Sequence, residues 1–171
     1  MASASIMSTR SIDQTSFFDP EFACPGCIAP GSVAWLLARH RRQLFPSWLF
    51  VGWRDCRLGR KGWPATVMMS LVLLRWTEEG MSRLASTKRA RTDAQWRAAL
   101  GISLDDGTPS ERTLRDFEKF LRQRHPEVGQ PRYLLFHEHV VRLCLTGNVL
   151  GDSPVWATDS TPMWCYGAVK D

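Results

Sequence analysis

Asp159 stands in the run Val-Trp-Ala-Thr-Asp-Ser-Thr at residues 155–161, where apolar and polar side chains alternate. Alternation at period two predicts a strand over 155–160. An ionised carboxylate on a strand with a buried face is expensive unless it meets a cation or several donors. Thr158, Ser160 and Thr161 could supply those donors as an ordinary turn network. A bound metal ion is the chemical alternative.

The second group of chemically capable residues is cationic. The chain has 22 Lys and Arg against 17 Asp and Glu, a formal charge of +5. Residues 39–124 hold 18 basic against 9 acidic side chains, and the flanks hold 4 against 8. Such a block attracts polyanions without regard to sequence; a solvated basic surface is the plainer reading. Within it, a helix expected at 109–124 gathers Leu114, Phe117, Phe120 and Leu121 on one side and Arg112, Arg115, Lys119 and Arg122 on the other. Short helices with glycine turns precede it, the layout of a helix-turn-helix whose later helix enters the major groove. Arginine's planar fork suits phosphate and guanine. The expected DNA-contacting set is Arg112, Arg115, Lys119 and Arg122, with Arg60 and Lys61 in the turn at 59–64, and Lys88, Arg89 and Arg91 on an earlier helix.

Other clusters carry less. Cys24 and Cys27, in Cys-Pro-Gly-Cys, have the spacing of a redox dithiol or of half a zinc site. No strand precedes them, and Cys56, Cys144 and Cys165 supply no matched second pair. His137 and His139 are two apart, so on a helix they diverge and cannot chelate together, and Val141 stands where an HExxH motif needs histidine. They read as core or surface histidines. The tryptophans at 35, 48, 53, 63, 76, 96, 156 and 164 read first as packing, with base stacking open to a few.

The elements that must position these groups follow from periodicity and punctuation. Residues 1–30, rich in Ser, Pro and Gly, read as a loose leader that anchors no core. A helix is expected over 32–45, ended by Pro46. Pro64 opens a nearly all-apolar helix to about Glu79, central and buried, with Gly80 as its stop. Ser82 and Asp93 cap short helices over 82–91 and 93–100, the second closed by Gly101. Thr108, Pro109 and Glu111 form a capping-box start for the basic helix. Pro131 opens a last helix and Gly147 closes it, and a hairpin partner at 163–169 follows the strand at 155–160. The fold expectation is mainly α, a helical bundle at 31–147 after the leader at 1–30, followed by the first hairpin, 153–171, of a β-containing domain cut short. No segment approaches the ~20 apolar residues of a membrane helix. An odd set of five cysteines without a disulfide framework, and no signal-peptide core, point to a cytoplasmic protein.

The order Gly59-Arg60-Lys61-Gly62-Trp63-Pro64, an apolar helix, Gly80-Met81-Ser82, Trp96-Arg97-Ala98-Ala99-Leu100-Gly101, Pro109-Ser110-Glu111-Arg112-Thr113-Leu114 and Asp159-Ser160-Thr161 closely resembles bacterial insertion-sequence transposases of the DDE type, over residues 50–171. The resemblance implies that the helical domain binds the element's terminal inverted repeats in double-stranded DNA. It also implies that an RNase H-like α/β domain opens with a strand holding the first of three catalytic acids. Asp159 matches that acid, catalytic and metal-binding in the family, which would share two Mg²⁺ ions with a second Asp and a Glu. Neither further acid is present in this sequence, so the expectation is a truncated transposase that binds DNA and neither holds Mg²⁺ securely nor cleaves DNA alone. The alternative is a helical interaction module that forms a homo-oligomer or pairs with, and inhibits, a full-length transposase. A small zinc or redox protein built on Cys24 and Cys27 is a third possibility.

Overall fold

The computed structural model describes residues 25–53 and 62–146 of the 171. Asp159 and the expected hairpin, Arg60, Lys61, Gly147 and the cysteines at 24, 56 and 165 lie outside the described residues. Among the described residues the fold is mainly helical, with six α-helices, one 3₁₀ turn and a single antiparallel bridge between Arg124 and Pro131.

Helix α1 spans Val33–Leu44 because the Ser32 hydroxyl accepts the Trp35 amide at 3.1 Å, and Pro46 ends it one residue past the Phe45 cap. A 3₁₀ turn, Ser47–Phe50, leads away from it. Helix α2, Ala65–Trp76, follows Pro64, and its Val67, Met68, Met69, Leu71, Val72 and Leu74 are all buried. It touches α1, α3 (Arg83–Thr92), α4 (Ala94–Leu100) and α5 (Glu111–Arg122), as a helix apolar on every side must. The sequence pattern extends α2 to about Glu79, but the helix stops at Trp76. Thr77 turns its hydroxyl back to the Leu74 carbonyl at 2.8 Å, and Gly80 takes φ +70° in the turn beyond.

Asp93 alone joins α3 to α4. Its carboxylate accepts the amides of Gln95 and Trp96 at 2.9 and 3.2 Å, and α4 closes on Gly101 at φ +66°. A side chain at Gly101 would meet the Arg41 guanidinium, the movable end of a long side chain, so it is the positive φ of the backbone that favours glycine there.

Two further expectations are corrected. The start of α5 is not a Thr108 capping box: Ser110 has the extended cap conformation and its hydroxyl accepts the Thr113 amide at 3.2 Å, while Pro109 is buried ahead of the helix. The helix thus starts two residues later than expected, and the Thr108 hydroxyl is buried without a hydrogen-bond partner among the described residues. The leader does reach the core, through Ile28, with Cys27 packed against it.

Helix α6, Arg132–Thr146, packs on α5 and on the 3₁₀ turn, with Phe136 against Phe45 at 5.9 Å. Three carbonyls in 43–51 are satisfied from this end of the chain. His139 Nε2 donates to Gln43 and His125 Nε2 to Trp48, both at 2.8 Å, and Arg132 donates to Val51 at 2.9 Å. Because a carbonyl only accepts, both histidines carry the proton on Nε2. Neither His137 nor His139 joins a metal-ligating cluster, and no group of three or more such side chains occurs among the described residues.

Candidate nucleic-acid interface

Helix α5 separates its two sides as its sequence spacing dictates. Leu114, Phe117, Phe120 and Leu121 are buried, with Phe117 edge-on to Trp53 at 4.8 Å, and Arg112, Arg115, Lys119 and Arg122 are exposed. Ten residues separate Arg112 from Arg122, which at 1.5 Å per residue makes a row of charge roughly 15 Å long. None of the four forms an ion pair among the described residues. Helix α3 packs against α5 and exposes Lys88 and Arg91, again without ion pairs.

Arg89 differs from its neighbours. It donates to Glu78 at 2.7 Å and to Asp93 at 3.0 Å and lies 4.9 Å from the centre of the Trp96 ring. The hydrogen bond to Asp93 raises its pKa above the ordinary arginine value, and Glu78 adds to the effect. Its charge is already answered by protein carboxylates.

Glu118 has no counterpart in the sequence-based set of contact residues. It occupies a place in the apolar row of α5 and is buried between Arg75 of α2 and Arg83 of α3. Its Oε1 accepts from Arg75, and its Oε2 accepts from Arg83 Nε at 2.7 Å. The signal was present in the spacing, because 114, 117, 118 and 121 are neighbours on one helical face and a carboxylate there needs a cationic partner.

Arg97 and Arg132, both buried, are spent on the framework. Arg97 donates to the carbonyls of Ser103 and Asp106, the latter at 2.7 Å, and so shapes the connection between α4 and α5. Arg132 donates to the carbonyls of Gln123, Arg124 and Val51, with its guanidinium 4.1 Å from the centre of the Phe120 ring. Burial lowers both pKa values, and for Arg97 the charges of Asp106 and Asp105 partly oppose the shift. Helix α4 is buried along Trp96, Arg97, Ala99 and Leu100, so of the helices in the expected helix-turn-helix only α3 and α5 present basic faces to solvent.

Residues 42–120 match the family model described as "Transposase domain (DUF772)". The match runs from the last turn of α1 into α5, so this helical stretch is similar to a transposase domain. No curated protein and no solved structure matches the chain. No helix among the described residues is long and apolar enough to cross a membrane.

Proposed function

We propose that the helical domain binds duplex DNA through the exposed faces of α5 and α3, as the DNA-end-binding part of a transposase of the DDE insertion-sequence type. The observation that carries this reading is the row Arg112, Arg115, Lys119 and Arg122, four exposed cations without an ion pair among the described residues, on the reverse of a core-packed helix. Lys88 and Arg91 extend it on α3. A helix fits the roughly 12 Å major groove, and a basic row along its outer side can meet phosphates at the groove edges. Within this reading Arg60 and Lys61 are further phosphate contacts, and Asp159 is a carboxylate that would hold Mg²⁺ together with further acids.

Fluorescence anisotropy of labelled duplex DNA over a salt series tests the proposal. The expected slope of log K against log salt is about −7, from about eight phosphate contacts. Replacing Arg112, Arg115, Lys119 and Arg122 together by Ala should flatten it by about 3 to 4. Absence of binding at the lowest salt, or an unchanged slope in the quadruple variant, defeats the reading.

A second reading, a protein-binding module, draws on α6. Val141 and Leu145 of that helix are exposed, Leu145 by 52%. Association with a protein partner through such a surface would survive nuclease and moderate salt, and phosphate-driven binding would not.

A further inference from the structure

Two arginines on α3 sit in opposite electrostatic settings. Arg89 is one guanidinium between two carboxylates, Glu78 and Asp93. Arg83 shares a single carboxylate, Glu118, with Arg75. The first cluster is net negative and the second net positive. The side chain of Glu118 is 9% exposed and that of Arg75 17%, whereas that of Arg83 is 38% exposed. Arg83 uses only Nε on Glu118, and neither Nη1 nor Nη2 makes a hydrogen bond among the described residues. A guanidinium has five N–H donors, so most of its capacity is unspent.

The position of this cluster identifies what it meets. On α5, Arg115 precedes Glu118 by three residues and Arg122 follows it by four, so both flank it within one helical turn. Through Glu118, Arg83 is thus joined to the part of α5 that carries two exposed cations with no ion pair among the described residues, where an anion is the favourable occupant. An arginine free in solvent loses rotamer freedom on binding, and one already tethered through Nε loses less.

We propose that Arg83 is a phosphate-contacting residue for duplex DNA, preset by Glu118, which acts as a positioning residue anchored in turn by Arg75. This rests on the reading of α3 and α5 as the DNA-facing helices. The two Nη groups would donate to one backbone phosphate, and the excess positive charge of the cluster supplies the attraction.

The test compares Arg83→Gln, Arg83→Lys, Arg89→Gln and Arg142→Gln in the full chain, using a labelled duplex of arbitrary sequence over a salt series, after thermal melts have established folding. Arg142 is exposed on α6 and serves as a control expected to keep the wild-type slope. Arg83→Gln retains a donor for Glu118 but removes the charge, and should flatten the slope by about 0.9 and weaken binding roughly threefold to tenfold. Arg83→Lys keeps the charge without the fork, so the slope should return while affinity stays below wild type. Arg89→Gln should flatten the slope less than Arg83→Gln. The proposal is overturned if Arg83→Gln keeps the wild-type slope or if Arg89→Gln flattens it as much. If Arg83→Gln does not fold, Arg83→Lys decides, and wild-type affinity in that variant overturns the proposal. A wild-type chain with no salt-dependent binding would instead bring down the broader DNA-binding reading, whereas an effect confined to the α5 variants would remove Arg83 alone.

Discussion

Arg97 shows how a buried cation can be held by backbone carbonyls, with the charges of Asp106 and Asp105 acting on it but no salt bridge to it among the described residues. Its guanidinium donates to the carbonyls of Ala90, Arg91, Ser103 and Asp106, and the residue is 3% exposed. Arg97→Met matches the length and removes every donor, stranding carbonyls in the connection before α5. A loss of about 2 to 4 kcal/mol is expected in urea titrations. Burial depresses the folded pKa of Arg97, so its desolvation opposes folding wherever the side chain is charged, and that opposition would fade only as pH rises through the folded value. Arginine stays protonated across the neutral range, so the difference between wild type and Arg97→Met should be the same at about pH 6 and about pH 9. Arg97 sits in the Trp96–Gly101 motif, but its burial was not legible there, because nothing local marks which arginine points inward. Glu118 was legible in principle, as the one acid in an apolar row.

At the scale of the element, most helices follow from patterning, since cap and period act locally. Ser32, Ser82 and Asp93 all cap where their side chains and spacing direct. At the start of α5 the hydroxyl of Ser110, not that of Thr108, makes the cap, and Pro109 between them is buried. Ser110→Ala should therefore lower stability by about 1 kcal/mol. Thr108→Val, which replaces a buried hydroxyl that has no partner by a methyl group, should be neutral or stabilising. Melting temperatures of the two variants check the pair, and a larger loss at 108 than at 110 contradicts the assignment. The basic and apolar sides of α5 were legible because a period of 3.6 fixes them before any packing does.

For the whole molecule, the identity of the central helix could be read from α2, whose apolar residues leave no polar side for solvent. The closure of the bundle could not. It depends on Gln43, Trp48 and Val51 meeting His139, His125 and Arg132, pairs 77 to 96 residues apart that no local pattern encodes. In refolding followed by pulsed hydrogen exchange, the amides around 49–53 should become protected together with those of α6 and not with those of α1, and early protection with α1 would contradict this coupling.

Those distant pairs also bear on how the chain is made. A ribosome delivers α1 and the 3₁₀ turn long before Arg132 exists, so during synthesis the carbonyls at 43, 48 and 51 lack the distant donors that they meet in the folded bundle. The nascent N-terminal half would then stay unfinished until the sixth helix emerges, and slowing translation over 125–139 should prolong its exposure to protease.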